Sequence, residues 1–227
     1  MFGRYSLDTP GLVLANQGET VKDYLSKVSN PSFEPDADNV IPILDGEWFT
    51  DCIVERFKQF LKVTFGELNF VANLTFIEDS LGKDIRKYFV KDFYTDHVKR
   101  YKKRPIYWMF SSPKGHFNAL IYMHRYRPDT VSVVLNEYLR EFENKLKASR
   151  ENYKRRSTSE SLSEHDKREA LKGIDNINKM LSDISDYEQQ TLYPLATEKI
   201  AIDLDDGVKV NYTKFGKALK KVPGLSK

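Results

Sequence analysis

The stretch PIYWMFSSPKGHFNALIYMHRY, Pro105 to Tyr126, holds two runs of aromatic and β-branched residues on either side of Ser112-Pro113-Lys114-Gly115. Such runs suit a pleated, half-buried surface, and the Pro-Lys-Gly centre is turn chemistry, so the segment predicts a β-hairpin. Pro105 forces the chain into an extended entry. It is the clearest strand signal in the chain, and everything around it reads as helix.

Downstream, Pro128 and Asp129 open a long amphipathic helix with Val131, Leu135, Tyr138, Phe142 and Leu146 on one face. After a polar break at Ser157 to Ser163, a second stripe follows in Ala170, Ile174, Ile177, Leu181 and Ile184. Both stripes alternate three- and four-residue steps, the spacing of an antiparallel helical hairpin with a coiled-coil-like seam. Glu141, Glu143, Lys145, Lys147 and Arg150 on the first helix, with Asp175, Lys179 and Asp183 on the second, read as its solvated outer faces. Pro194 is expected to end the pair, Ile200 to Leu204 to form a short strand, Asp206-Gly207 a turn, and Tyr212 to Val222 a last helix.

Upstream, Thr50 suits an N-cap for a helix carrying Ile53, Phe57, Phe60, Leu61 and Thr64, stopped by Gly66. Phe70, Leu74, Ile77 and Leu81 repeat the pattern up to Gly82. From Lys83 to Lys103 the apolar spacing is less regular and predicts one bent helix or two short ones. Residues 1–48, punctuated by Pro and Gly, read as an irregular lead-in with one helical stretch near Glu19 to Val28. The expected class is α+β, mainly α: a lead-in at 1–48, helices with the aromatic hairpin and a basic segment at 49–128, the helical hairpin at 129–193 and a tail at 194–227.

Composition narrows the function. The 227 residues are 40% hydrophobic and 30% charged, which fits a globular chain and excludes disorder. No run approaches the ~20 apolar residues of a membrane span, and the start lacks the basic and apolar regions of a signal peptide, so a cytoplasmic protein without membrane contact is expected. The single cysteine, Cys52, excludes an internal disulfide and a cysteine zinc cluster.

The net charge is only +3, but it is unevenly spread. Met1 to Asp51 carries 3 basic and 9 acidic residues, whereas Lys83 to Arg104 carries 9 basic and 3 acidic. Within the second segment, Val98-Lys-Arg-Tyr-Lys-Lys-Arg104 interleaves cations with an aromatic ring. That pattern supplies phosphate neutralisation with a stacking surface, and equally describes a solvated helix end complementing its dipole. His97 is placed to touch phosphate, while Lys154-Arg155-Arg156 reads as solvated charge and the aromatic stripe of the hairpin as core.

Catalytic motifs are missing. There is no Gly-rich phosphate loop, no G-x-S-x-G, no H-E-x-x-H and no C-x-x-C. Asp129 with Glu143 and Lys145 matches the residue types of magnesium nucleases, but one helix would hold the two carboxylates roughly 21 Å apart, too far to share a metal. His116 and His124 are read on one face of the second strand, about 27 Å apart, and His165 with Glu169 offers two metal ligands without a third.

Ile41-Pro-Ile-Leu-Asp-Gly-Glu-Trp-Phe49, Asp84-Ile-Arg-Lys-Tyr-Phe89, Arg104 to Gly115 and Ala119 to Tyr126, in that order, resemble the C-terminal region of the adenine-specific DNA methyltransferases of BREX phage-defence systems, the PglX family. Met1 to Asp8, Asp203 to Tyr212 and Lys214-Phe-Gly216 resemble it too, so the likeness spans nearly the whole chain. The family's S-adenosylmethionine loop and its Asn-Pro-Pro-Tyr motif have no counterpart here, so no catalytic residue carries over and the chain is expected to be a fragment or one part of a split enzyme. The resemblance implies S-adenosylmethionine for the parent enzyme, double-stranded DNA as partner, and a DNA-holding role beside target recognition in a restriction-modification-like system. Lys99, Arg100, Lys102, Lys103, Arg104, Lys114 and Arg125 are the expected DNA contacts. Two alternatives stay open: a module that docks the upstream methyltransferase portion or another defence protein, and a restriction endonuclease fragment.

Overall fold

The computed structural model describes residues 16–28 and 31–225; the Met1 to Asp8 motif lies outside them. Helix α1 (Val21–Lys27) starts in a capping box, Thr20 and Asp23 each bonding the other's backbone N–H. Next comes a strand that the pattern of the lead-in does not announce. β1 (Val40–Pro42) pairs antiparallel with β3 (Asn118–Tyr122), which pairs in turn with β2 (Tyr107–Ser111), in the order β1-β3-β2. Asn39 explains how so short a strand is held. Its amide donates to the Tyr122 carbonyl at 3.0 Å and accepts from the Tyr122 N–H at 3.1 Å, extending the ladder by one side chain. Buried Asp36 helps by accepting from the N–H of Asp38 and of Val40.

α2 (Ile53–Phe65) begins at Cys52 rather than Thr50, with no side-chain cap, and buries Val54 and Leu61. After a 3₁₀ turn, α3 (Phe70–Leu81) ends at Gly82. The irregular stretch that follows is two short helices, α4 (Ile85–Lys91) and α5 (Phe93–Arg100).

The β-hairpin lies inside the molecule. Every residue of β3 is buried, so both faces of the sheet are covered. Trp108 and Phe110 share one face and pack edge-on against Phe215, with ring centroids 5.5 and 6.1 Å apart, while Phe117 meets Phe142 and Tyr187. The aromatic stripe is core.

The helical hairpin forms as the periodicity predicts. Its first arm runs α6 (Thr130–Val133), a π-helical segment (Val134–Leu139) and α7 (Arg140–Ser157); its second is α8 (Glu164–Tyr187), capped by Ser163. Arg140 bonds Glu188, and Arg150 bonds Asn178, so the partner number falls as the first rises and the arms are antiparallel. Leu135, Phe142 and Leu146 are buried with Ala170, Ile177 and Ile184.

Three expectations downstream are corrected. Pro194 does not end the second arm: a π-helical segment (Glu188–Leu192) leads into α9 (Tyr193–Glu198), where Pro194 sits in the first turn and its missing N–H costs nothing. Ile200 to Leu204 is not a strand. Ile200 and Ile202 are buried, but the Ile200 carbonyl accepts from the Tyr126 hydroxyl and the Ile202 carbonyl from the Gln17 amide. The last helix, α10 (Gly207–Thr213), starts at the Asp-Gly pair and stops before most of the predicted span. Instead, residues 218–220 lie along the outer edge of β2, with Leu219 bridged to Phe110.

Candidate nucleic-acid interface

The basic run occupies the end of α5 and the turn into β2. The N–H of Lys103 reaches the Val98 carbonyl and that of Lys102 the Lys99 carbonyl, the paired bonds of a Schellman cap. α3 ends with the same two bonds, and there the left-handed position is Gly82, φ 64°. In α5 that position is Lys102, φ 49°, followed by Lys103 at φ 62°. A residue with a Cβ in this region costs about 1–2 kcal/mol, which glycine avoids. The turn holds two lysines where the backbone alone favours glycine.

Lys99, Arg100, Lys102, Lys103 and Arg104 are all exposed. Lys99 has a loose contact with Asp96 at 3.9 Å, and among the described residues Arg100, Lys102, Lys103 and Arg104 have no ion pair. The lysines of the helical hairpin are different, although Arg155 and Arg156 at its tip are exposed and, among the described residues, have no ion pair. Lys147 pairs with Glu143, Lys154 with Glu151, Lys167 with Glu164, Lys172 with Glu169 and Lys179 with Asp175. Their charge is answered locally; that of the turn is not.

His97 fixes the turn against the sheet instead of facing solvent. It is buried, its Nε2 accepts from the Tyr107 N–H at 3.1 Å, and burial lowers its pKa to about 4. A neutral imidazole held in this way has no charge to offer a phosphate, which overturns the expectation for His97. Tyr101, whose ring lies 4.7 Å from that of His97, stays partly exposed beside the lysines.

Two other expected contacts separate from this group. Lys114 is exposed at the far end of the hairpin, about 20 Å away at roughly 3.4 Å per strand residue. Arg125 is buried: its guanidinium donates to the carbonyls of Glu19, Asp36 and Ala37 at 3.1, 2.7 and 3.2 Å, tying the lead-in to the sheet. That correction has a simple cause, because three fixed carbonyls match the guanidinium's fork of donors.

Asp183, read as an outer-face charge of α8, is also buried. It accepts from the Ser112 hydroxyl at 2.6 Å and the Lys114 N–H at 3.0 Å, with His116 Nδ1 at 3.1 Å, and so pins the hairpin turn to α8. No sequence spacing signals this, since its partners are about 70 residues away. Lys145, similarly, is only half exposed: it donates to the Trp48 carbonyl at 2.7 Å and sits 4.2 Å over the Phe49 ring. His116 and His124 flank β3 instead of sharing it, and His165 is exposed beside Asp166. Asp129 pairs with Arg127 and Glu143 with Lys147, and among the described residues no group of three or more His, Cys, Asp or Glu is placed to hold a metal ion.

The opposite sign of charge gathers elsewhere. A cleft of about 870 Å³ is lined by six carboxylates, Asp38, Glu47, Asp51, Glu55, Glu137 and Glu141, against three cations, Lys58, Arg86 and Lys145, and so is net acidic. Beside it, burial and then the carboxylates of Asp38 and Asp51 push Asp36 up to about 8. Among the described residues, no helix is long and apolar enough to cross a membrane.

No family model matches the chain. Two curated proteins do. It is 37% identical to the adenine-specific methyltransferase BrxX of Escherichia coli O9:H4 (strain HS) across 99% of its own length, and 38% identical to the adenine-specific methyltransferase PglX of Lacticaseibacillus casei (strain Zhang) across 94%. It spans only 20% and 18% of the lengths of those proteins. The resemblance carried by the motifs thus holds over nearly the whole chain.

Proposed function

We propose that this chain, homologous over nearly its whole length to a segment of the adenine-specific methyltransferases BrxX and PglX, grips the backbone of double-stranded DNA at the C-terminal side of such an enzyme in phage defence. The observation that carries the reading is the α5–β2 turn, where exposed cations without local partners are held in a conformation that favours glycine. Functional demand explains such strain better than folding does. Lys99, Arg100, Lys102, Lys103 and Arg104 meet phosphates and fix the register of the duplex, without reading its sequence. Lys114 meets DNA only where the duplex extends to the far end of the hairpin.

On this reading methyl transfer from S-adenosylmethionine to a target adenine flipped from the stack is the work of enzyme parts outside this segment. Among the described residues, none forms the Gly-rich loop that such a cofactor needs. The positive-φ glycines sit singly at helix ends and turns, and none opens a helix from a strand in a Gly-rich loop. A second reading, docking onto the rest of the methyltransferase, is favoured by Phe65, Leu68, Val71 and Phe76 on the α2–α3 corner, where Leu68 is fully exposed. The two readings are compatible, because they use different residues on different elements.

The test is duplex binding as a function of salt. Replacing Lys99, Arg100, Lys102, Lys103 and Arg104 by Ala should weaken binding alike for all sequences and lower the slope of log K against log salt by about 0.9 for each lost contact. Lys147→Glu with Lys179→Glu, on the self-neutralised hairpin, should change it far less. Equal losses would put the binding face on the hairpin.

A further inference from the structure

Beside the turn runs a second set of cations that the sequence reading takes for part of a helix. In Lys217-Ala-Leu-Lys-Lys221, Ala218 and Leu219 are buried and the three lysines are exposed. Among the described residues, none of the three has an ion pair. The segment is held rigidly by its backbone. The Ser111 N–H donates to the Ala218 carbonyl at 3.0 Å, the Lys220 N–H to the Met109 carbonyl at 2.8 Å, and the Tyr187 hydroxyl also reaches the Ala218 carbonyl at 2.5 Å.

Its direction brings it to the basic turn. Because Leu219 pairs antiparallel with Phe110 and the Lys220 N–H reaches the Met109 carbonyl, the segment runs toward the start of β2 that Arg104 leads into. Five residues of chain and one strand spacing separate Arg104 from Lys220, which bounds that Cα distance at about 23 Å, and the three residues back to Lys217 extend the bound to about 33 Å. A hydrogen-bonded link ties the segment to α5 as well: the Tyr94 and Tyr212 hydroxyls lie 3.2 Å apart, and Tyr212 donates to the Lys220 carbonyl at 2.5 Å. The second set of cations therefore runs along the outer edge of β2, from Lys217 near Ser112 at the hairpin turn to Lys220 beside Met109, on the side of the basic turn.

We infer that Lys217, Lys220 and Lys221 form a second phosphate-contacting row which, with the α5–β2 turn, makes one track for the backbone of a single DNA duplex. This rests on the reading of the turn as a DNA contact and extends it to an element that no motif marks. A bound of about 33 Å corresponds to roughly ten nucleotides at 3.4 Å per nucleotide along one strand, so one short duplex can engage both rows.

The experiment compares three forms of the full chain on a 30-base-pair duplex between 50 and 200 mM salt: the natural sequence, the variant Lys217→Ala, Lys220→Ala, Lys221→Ala, and the five-residue turn variant. If the row makes three contacts, its loss lowers the salt slope by about 2.7, so the natural chain loses about 40-fold more affinity over this range than the row variant does. Circular dichroism melts should coincide, since all three side chains are exposed and alanine keeps the backbone bonds. An unchanged slope in the row variant with a lowered slope in the turn variant would overturn this inference alone, leaving the lysines as guards of a sheet edge. Unchanged slopes in both would overturn the reading of the turn and this inference with it. A lowered slope in the row variant only would overturn the shared track.

Discussion

Replacing Lys102 by glycine sets stability against binding in a single substitution. Lys102 occupies, at φ 49°, the left-handed position that Gly82 fills in the equivalent cap of α3. Relieving its Cβ recovers about 1–2 kcal/mol. Glycine's extra freedom in the unfolded chain takes back about 0.4–1 kcal/mol. The net is a stabilisation of up to about 1.6 kcal/mol, which for a chain of this size raises Tm by up to about 6 °C. The same substitution removes one exposed cation and should lower the DNA salt slope by about 0.9. Lys102→Ala is the control: it loses the charge but keeps a Cβ at positive φ, so its slope falls equally while its Tm does not rise. Calorimetry and fluorescence anisotropy across a salt series read both quantities. A lower Tm for Lys102→Gly would refute the strain argument, and an unchanged slope would remove this side chain from the DNA face.

Arg125→Ala should leave the salt slope unchanged and lower stability by about 3 kcal/mol or more, since three carbonyls lose their donor at about 1–3 kcal/mol each; a urea midpoint measures this, and a fall in slope with stability intact would restore Arg125 to the interface. His97 gives a pH signature. Burial depresses its pKa from 6.5 to about 4, so between those values the unfolded chain binds a proton that the folded chain does not. Its contribution is complete above pH ~6.5 and is lost as pH falls toward 4. Asp36, raised to about 8, acts in the opposite direction over this window, so the informative quantity is the stability difference between the natural chain and His97→Gln, which should shift against the natural chain on acidification. A pH-independent difference would mean His97 does not titrate in this way.

What the sequence reveals of the fold follows from the range of the interactions. The two hairpins are legible because each is made by neighbours. Alternating three- and four-residue steps place Leu135, Phe142 and Leu146 opposite Ala170, Ile177 and Ile184, and a turn sequence sits between two strand-forming runs. β1 is hidden for the converse reason. Three residues ending in a proline carry little strand signal, and their partners, Ala119 to Ile121, lie nearly 80 positions away. Alternation also misleads where ladder partners are side chains: Ile200 and Ile202 are buried in alternation as in a strand, yet their carbonyls accept from Tyr126 and Gln17. Pro194 misleads because a helix breaker in the first turn of a helix breaks nothing.

The candidate site is legible in charge but not in geometry. Counting charges finds Lys99 to Arg104, and it also puts Arg125, Asp183 and Lys145 onto surfaces where the structure does not leave them free. What separates a binding cation from a structural one is whether a fixed acceptor stands within reach, and such acceptors are backbone carbonyls and carboxylates from distant parts of the chain. Arg125 finds three carbonyls, and the hairpin lysines find carboxylates one helical turn away, which sequence spacing could have shown. Lys102 and Lys103 find none among the described residues, and they stand at positive φ, a quantity no composition displays. A terminal segment read as a helix then proves to run beside them as an extended edge, because Leu219 and Val222 are buried and β2 offers it the carbonyl of Met109 and the N–H of Ser111. The cations along the outer edge of β2 are therefore placed by tertiary pairing, which brings lysines more than 100 residues apart in sequence to a single strand.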